Sequence, residues 1–334
     1  MGLIAIAANP ASGRDIRRLV SSATVFNNRE KQNIMERIIL AASQFGDHRF
    51  CIMPEKSYFA QKINAHLKED LKLIPEGMVF CPDLPCSDSQ KDTTAFAEYA
   101  RQQGADVLIV LGGDGTSRAA AKGMMDLPLI SISTGTNNVF PEVSEGTAAG
   151  IAAAAIAQGI RLDDSCFERC KQIEVSVNGT FCDIALIDAV FSDTVYSGAK
   201  AIWSREDISR VMVTQCHPSA IGFSAILGCT LTVSPQDNWG ALADCGIGTP
   251  NLKVSLAAGT ITPVQVTEIK KIPLNESVIY KMEKSGMLAL DGEREVKYSS
   301  GDEIELCIRR CGPVRVKIAR TLEAAQKQGF FVIS

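Results

Sequence analysis

The chain lacks the segments that would place it in or on a membrane. No apolar run approaches the length of a transmembrane helix. The apolar start, MGLIAIAANPASG, is too short for a signal peptide and has no basic region, so it predicts a first strand. With 34 basic and 38 acidic residues the net charge is −4, and no block of like charge occurs. This balance argues against a nucleic-acid or membrane-surface partner and favours work on a small molecule.

Histidine is scarce, and the usual cysteine pairing patterns are missing. The three histidines, His48, His66 and His217, lie far apart and have no metal-ligand spacing. The eleven cysteines contain no C-x-x-C pair, so we interpret them as buried free thiols in a reducing cytoplasm. The sequence therefore leaves any metal ligand unknown and predicts a cytoplasmic protein. Among the histidines, His217 is of most interest because its loop is expected to face a cleft.

Length and composition predict two domains. A chain of 334 residues is long for one core, and 46% hydrophobic residues are enough to fill two. Residues 1–160 contain three strand–loop–helix units in series, which predicts an open α/β sheet. Residues 161–318 show a period of two and turn pairs such as Asn178-Gly179, which predicts a β-rich domain. The tail, residues 319–334, is expected to form a short helix that returns to the first domain.

A glycine-rich loop follows a buried strand in VLIVLGGDGTSRAAAKG, residues 107–123. The apolar run predicts a strand buried on both faces, and the alanines after the loop predict a helix. The loop's glycines permit positive φ and leave backbone N–H groups open to a ligand. These features favour an anion site, with a tight turn near a helix start as the alternative. The loop is neither a Walker A motif nor G-x-G-x-x-G, so neither motif explains Asp114.

Two further loops follow strands in the same domain. A buried-strand pattern at residues 3–8 runs into NPASG, residues 9–13, and the strand PLISIST leads into GTNNVF. The GTNN segment is rich in backbone and amide donors. In open α/β sheets, ligands bind at the carboxyl ends of the strands. We therefore expect the three loops to lie within one cleft that faces the β-rich domain.

The order of these motifs resembles one enzyme superfamily. GGDGT after a buried strand, a later GTNN loop and a β-domain ending in DGE resemble the NAD kinase and diacylglycerol kinase superfamily. Within it, NPASGRDIRRL and STGTNNVF most resemble the ATP-NAD kinase-like proteins of acetoin-catabolism gene clusters. The resemblance covers nearly the whole chain. It implies an α/β fold: an N-terminal Rossmann-like domain with an open parallel sheet, a C-terminal β-sandwich-like domain, and a nucleotide in the cleft between them.

The resemblance also implies roles for single residues. Asp114 matches the GGDGT aspartate that in NAD kinases accepts the proton of the ribose 2′-hydroxyl, a task suited to a carboxylate within hydrogen-bond reach. The implied phosphoryl donor is ATP, with Mg²⁺ to offset the phosphate charge. The expected nucleotide- and phosphate-binding residues are Asn9, Gly13, Gly112, Gly113, Gly115, Thr116, Thr134, Gly135, Thr136, Asn137 and Asn138, and the expected substrate-binding residues are Asp188, Asp291 and Glu293. Since NAD kinases are usually homo-oligomers, we expect at least a homodimer that buries part of residues 184–196.

The chain departs from the known branches at three places. Ile187-Asp188 stands where NAD kinases carry Asn-Glu, HPSAIGFSAILGC matches their TPTGSTAY segment only loosely, and Val139 replaces the aspartate of the lipid-kinase loop GTGNDF. Three functions therefore stay open. The first is a kinase acting on a nucleotide hydroxyl, above all the 2′-hydroxyl of NAD to give NADP. The second is a lipid or diacylglycerol-type kinase with Glu293 as base, although aromatics to line a lipid channel are few. The third is a nucleotide-binding protein without turnover.

Overall fold

The computed structural model describes residues 1–10, 26–135, 137–192 and 208–333, and within these residues no helix is long and apolar enough to cross a bilayer. The strands are β1 (Gly2–Ala8), β2 (His48–Ile52), β3 (Val79–Phe80), β4 (Val107–Gly112), β5 (Leu129–Ser133), β6 (Phe167–Arg169), β7 (Gln172–Val177), β8 (Thr180–Ala185), β9 (Asp188–Ser192), β10 (Ile208–Val213), β11 (Trp239–Gly246), β12 (Leu252–Ala257), β13 (Thr260–Pro273), β14 (Ser277–Lys281), β15 (Gly286–Leu290), β16 (Glu293–Tyr298), β17 (Glu303–Arg309) and β18 (Val314–Val316). The helices are α1 (Asn28–Ser43), α2 (Phe59–Ile63), α3 (Gln90–Gln102), α4 (Asp114–Met124), α5 (Gly146–Ala157), α6 (Ser224–Gly228) and α7 (Ile318–Lys327), with a π-helical turn at Asn64–Asp70 and a 3₁₀ turn at Asp164–Cys166.

The first domain is built on one sheet with the strand order β3-β2-β1-β4-β5-β18-β6. The strands β1 to β5 run parallel to their neighbours in it. Because helices cover both faces, β4 is apolar along its whole length. Ile109 points to the face covered by α1 and α5, and Val110 points to the face covered by α3 and α4. The carboxyl ends of β1, β4 and β5 therefore lie side by side at one edge of the sheet.

The Ala-rich helix α5 lies very close to α1. A Cβ atom on Gly146 would be 2.8 Å from the carbonyl oxygen of Ile34, and one on Gly150 would be 2.4 Å from that of Ile38. Neither glycine has a positive φ. Both positions therefore need glycine for lack of space, because a larger side chain would collide with the backbone of α1.

Two antiparallel sheets form the second domain. One has the order β12-β13-β11-β10-β9-β15-β16 and the other β14-β17-β7-β8, and apolar side chains such as Phe191 and Leu306 form a core between them. Asn178 and Gly179 join β7 to β8 with φ values of 50° and 74°, the positive pair that a type I′ turn needs. The predicted fold class, a Rossmann-like parallel sheet followed by a β-sandwich-like domain, is confirmed.

The chain passes between the domains more than once. Strands β6 and β18 flank the β-rich segment in sequence, yet they pair with each other and join the first sheet beside β5. Helix α7 then packs on α5, and the ring of Phe330 stacks on that of Phe45 with centroids 4.8 Å apart. The predicted boundaries at residues 160 and 318 stay predictions, and the first sheet draws strands from both sides of the β-rich segment.

The expectation that the cysteines are buried is wrong for part of them. All eleven are free thiols, but Cys86, Cys182, Cys229 and Cys311 are exposed. Cys182 lies on β8, an edge strand of the smaller sheet whose first three residues are all exposed. The other three lie outside the strands and helices. Composition alone does not distinguish an edge strand or loop from a covered strand.

Residues 184–192 cannot contribute to a dimer surface in the way expected from sequence. Every one of them is buried within the single chain. Phe191 lies in the sandwich core, and Ile187 packs into the apolar core shared with the first domain. These residues therefore offer no exposed side chains to a partner. Residues 193–196 lie outside the described part of the chain, so the expectation that a dimer buries part of residues 184–196 stays a prediction.

Candidate functional site

The three predicted loops meet at the carboxyl edge of the parallel sheet. The N–H of Asn9 donates to the carbonyl of Leu111, and the Asn9 amide lies 3.5 Å from the hydroxyl of Thr116. The N–H of Thr134 donates to the carbonyl of Gly112 at 3.0 Å. The expectation that the three loops lie together is thus confirmed for their described residues, whereas a single cleft lined by all three stays a prediction. Two predicted ligand-binding residues, Gly13 and Thr136, lie outside the described residues.

Asp114 is the first residue of α4 and is held by the GTNN loop. Its Oδ1 atom accepts hydrogen bonds from the N–H groups of Val139 (3.0 Å) and Phe140 (2.8 Å), and the Val139 N–H also lies 3.2 Å from Oδ2. The preceding Gly113 has extended backbone. A carboxylate at a helix N-terminus is favoured by the helix dipole. The N–H groups of Val139 and Phe140 therefore fix the orientation of the Asp114 carboxylate, which lies where the GGDGT and GTNNVF loops meet.

The glycines of the site make room for neighbouring side chains. A Cβ atom on Gly112 would meet the side chain of Thr116 at 2.4 Å. Cβ atoms on Gly113 and Gly135 would lie 2.8 and 2.9 Å from the side-chain amide of Asn138. That amide also donates to the Ser133 hydroxyl at 2.9 Å. The space expected for a ligand next to these glycines is therefore partly filled by side chains of the loops themselves.

A cavity of about 410 Å³ opens where the GTNN loop faces the second domain. Its wall from the first domain is Asn138 and Val139, and the Gln215 amide donates to the Val139 carbonyl at 3.4 Å. The lining residues from the second domain are Gln215, Cys216, His217, Ser219, Ala220, Thr232, Val233, Ser234 and Pro235. Sequence reasoning had singled out only His217 among them, because its loop was expected to face a cleft, and missed the others as site residues. Small residues around His217 were a usable signal, whereas nothing local marks Thr232 to Pro235.

The far wall of the cavity is held by a buried lysine. The Lys171 ammonium donates to the carbonyls of Ser234 (3.0 Å) and Trp239 (2.7 Å), and burial lowers the pKa of Lys171 to about 8.

Burial also raises the pKa of the lining thiol of Cys216 to about 11, so this thiol is protonated at neutral pH and unsuited to act as a nucleophile. The Nδ1 atom of His217 accepts from the N–H of Ser219, which places the exchangeable proton of a neutral ring on Nε2.

The predicted substrate-binding acids occupy three different settings. Asp291 is buried and accepts N–H bonds from Leu186, Ile187 and Asp188 at 2.9, 2.8 and 3.1 Å, so it ties the DGE turn to the start of β9. Burial raises the pKa of Asp291, and the nearby Arg118 and the three N–H groups oppose that rise. Asp188 is also buried, whereas the Glu293 side chain is 46% exposed and lies against the start of α4. Of the three, Glu293 is the most accessible to a ligand.

Ile187 has a structural reason to be apolar. Its side chain is 1% exposed and packs into the apolar core that contains Val110 and Phe140 of the first domain. At this position the chain therefore uses the side chain to join the two domains and not to contact a ligand in the cleft.

Two family models match the chain, the ATP-NAD kinase N-terminal domain over residues 4–160 and the acetoin catabolism protein X C-terminal domain over residues 171–311. Acetoin catabolism protein X of Cupriavidus necator is 32% identical over 316 residues, which cover 92% of this chain and 87% of that protein. This chain belongs to the acetoin catabolism protein X family. The resemblance inferred from the order of its motifs is thereby confirmed.

A solved structure shows that this member of the acetoin catabolism protein X family has the NAD kinase fold. Yeast NADH kinase complexed with NADH matches with a TM-score of 0.57 at 13% identity, covering 100% of this chain and 89% of that one. This likeness shows a shared fold. An NAD kinase from Archaeoglobus fulgidus in complex with ATP matches more weakly, with a TM-score of 0.44 at 12% identity, covering 99% of this chain and 100% of that one.

Proposed function

We propose that this protein is a phosphotransferase that moves the terminal phosphoryl group of ATP to a hydroxyl group of a nucleotide. The preferred acceptor is the 2′-hydroxyl of NAD, with NADP as product. The observation that carries the proposal is the double role of Val139, whose N–H holds the Asp114 carboxylate and which also lines the cavity between the domains. A group able to take a proton is therefore held by a residue that lines a space able to hold an acceptor.

The proposed reaction is an in-line displacement at phosphorus. The acceptor oxygen forms a bond to the γ-phosphorus while the bond from that phosphorus to the β,γ-bridging oxygen breaks. The hydroxyl proton passes to the Asp114 carboxylate, and ADP leaves with the electron pair of the broken bond. The N-terminus of α4, where Gly113 and Asp114 stand, offers a positive potential to the donor phosphates.

ATP would bring Mg²⁺ to the site. The described residues hold no group of three or more His, Cys, Asp or Glu side chains arranged for a metal ion. Mg²⁺ needs no such group, because that ion is usually held by one or two carboxylates together with substrate phosphates. The carboxylate of Glu293, which lies against the start of α4, would hold the ion together with the phosphates, whose charge it would offset.

The cavity lining favours a nucleoside over a lipid chain. Amides of Asn138 and Gln215 and hydroxyls of Ser219 and Thr232 alternate with small apolar side chains, and Phe, Tyr and Trp are absent from the described lining. A base needs apolar walls and a ribose needs hydrogen-bonding groups, so this mixture suits both. The observation that favours the second candidate, a lipid-type kinase, is the place of Glu293 against the start of α4.

The deciding experiment offers one acceptor at a time. The purified protein is incubated with Mg²⁺ and ATP or polyphosphate, and NAD, NADH or diacylglycerol is added. Formation of NADP from NAD, detected by mass spectrometry, supports the proposal, and phosphorylated diacylglycerol supports the second candidate. If no acceptor is phosphorylated while NAD or ATP raises the Tm, the protein binds nucleotide without turnover.

A matched pair of threonines tests the cavity as the acceptor site. Thr232 lines the cavity, and Thr230, two residues earlier, is also exposed but is not among the lining residues. Thr232→Tyr should raise the KM for NAD because the ring fills the cavity, whereas Thr230→Tyr should leave KM unchanged. Equal KM values for both variants and the unmodified protein would place the acceptor elsewhere.

We also propose that the protein acts in the cytoplasm as a homodimer or larger homo-oligomer, in line with its resemblance to NAD kinases. Its free thiols suit a reducing compartment. Light scattering after size-exclusion chromatography should give at least twice the chain mass of 35.9 kDa. A monomer at micromolar concentration would contradict the oligomeric part of this proposal.

A further inference from the structure

Arg118 carries a positive charge into the boundary between the two domains. It lies one turn after Asp114 on α4, and its side chain is fully buried. A buried guanidinium is costly unless acids pair with it. Acids of the second domain do so: Nη1 lies 3.3 Å from Asp183, Nε lies 3.8 Å from Asp291, and Nη2 lies 3.6 Å from Glu293.

The acids that face Arg118 stand on a rigid support. Asp291 is fixed by its three backbone N–H bonds and begins a tight turn, in which Asp291 and Gly292 have φ values of 50° and 79°. Glu293 follows directly as the first residue of β16. The backbone of the turn is therefore fixed by these hydrogen bonds. The position of the Arg118 guanidinium then determines how the Glu293 side chain is oriented.

Gly115 leaves the space that the Glu293 carboxylate occupies. A Cβ atom on Gly115 would be 2.6 Å from Oε1 and 2.8 Å from Cδ of Glu293. Gly115 is inside α4 and has no positive φ, so glycine is needed there for space and not for backbone conformation. The helix N-terminus also attracts a carboxylate. As a result, Glu293 of the second domain lies against the residue that follows Asp114.

We propose that Arg118 is a positioning residue that draws the Glu293 carboxylate onto the start of α4, beside Asp114. It completes the acceptor side of the site when the two domains are together, because Asp183, Asp291 and Glu293, which face it, come from the second domain. The kinetic part of the following test rests on the proposed function, whereas the structural part needs no substrate.

The structural test measures amide hydrogen exchange in the full chain without ligand. In Arg118→Met, exchange in residues 286–298 should become about tenfold faster, because the turn loses its contact with α4. Arg118→Lys should show a smaller change. Lys122→Met is the matched control, since Lys122 lies one turn later on α4 and pairs with Asp183 at 2.6 Å. Unchanged exchange at 286–298 in Arg118→Met would overturn the inference, whatever the turnover.

The kinetic test asks whether Arg118 acts through Glu293. With ATP and NAD, Glu293→Gln and Arg118→Met should each raise the KM for NAD about tenfold with a smaller effect on kcat, and the double variant should be no worse than either. Effects that multiply in the double variant would contradict a shared action. If the unmodified protein makes no NADP, the proposed function fails, and the exchange experiment alone decides this inference.

Gly115→Ala serves if Arg118→Met does not fold. It removes no charged group but puts a methyl group where the Glu293 carboxylate lies, so that carboxylate must move. Alanine is the better helix former, so the Tm should be retained or raised. We expect the KM for NAD to rise as it does in Glu293→Gln. A folded Gly115→Ala variant with an unchanged KM would overturn the inference.

Discussion

Asp114 begins α4, and Glu293 of the second domain lies against the same turn. The resemblance in sequence predicts Asp114 as the base for a nucleotide acceptor and Glu293 as the base for a lipid acceptor. Asp114 is held by two backbone N–H groups, whereas Glu293 is half-exposed and faces Arg118. The two side chains therefore differ in how far they can move toward a substrate. Substitution of each tests which one takes the proton.

Asp114→Asn should lower kcat by about 10²- to 10⁴-fold, because an amide accepts a hydrogen bond but takes no proton at neutral pH. Nucleotide binding should persist, since Oδ1 accepts both loop N–H bonds and an amide oxygen can do the same. Glu293→Gln should be the milder change for a nucleotide acceptor. The measurements are kcat with ATP and NAD and the Tm shift caused by ATP. A near-normal rate for Asp114→Asn would remove Asp114 from the mechanism, and the reverse ordering of the two variants would favour a lipid-type kinase.

His48 should make stability depend on pH. It is 3% exposed, and neither ring nitrogen has a hydrogen-bond partner among the described residues. Burial and the charged N-terminus lower its pKa, while Asp106 and Asp47 oppose this. The unfolded chain then binds a proton near pH 6.5 that the folded chain does not, so the free energy of unfolding should fall as the pH drops below about 6.5, by up to about 1.4 kcal/mol per unit.

Urea unfolding between pH 7.5 and 5 measures this effect. His48→Phe should flatten the pH dependence, and the exposed His217→Phe should retain it. Equal slopes for His48→Phe and the unmodified protein would exclude His48 as the source.

At the scale of elements, the contact between α1 and α5 depends on glycine. Alanine in place of Gly150 improves helix propensity by about 1 kcal/mol, but its Cβ would lie 2.4 Å from the Ile38 carbonyl oxygen. Overpacking of this kind costs about 1–3 kcal/mol, so Gly150→Ala should be destabilising on balance. Thr147→Ala, on the exposed side of α5, should be neutral or slightly stabilising. A higher Tm for Gly150→Ala would show that the helices can separate at little cost.

At the scale of the whole molecule, the first sheet is completed by segments that are remote in sequence. Without β18 the edge of β5 would be open, and without α7 part of α5 would be uncovered. A fragment of residues 1–160 should therefore aggregate or melt well below the full chain in circular dichroism. A fragment that melts cooperatively at the Tm of the full chain would show that β6, β18 and α7 are dispensable.

The features that the sequence alone determined are local ones. The apolar run of β4 and the glycine loop after it predicted a strand end and a helix start. Whether a segment forms a buried strand or a glycine turn depends on residues that are adjacent in sequence. Asn178-Gly179 predicted its hairpin since few residue pairs adopt two positive φ values. The meeting of the three loops also followed, because parallel strands end at the same edge of a sheet.

Contacts between the two domains were decided only by the tertiary structure. The burial of Ile187, the cavity wall at Thr232 and the approach of Glu293 to Gly115 join segments from different domains. The sequence predicted no more for Arg118 than a place in a helix. The acids that surround it belong to the second domain. Periodicity and turn chemistry describe the near neighbours of a residue along the chain, whereas burial and charge pairing depend on which distant elements pack against it.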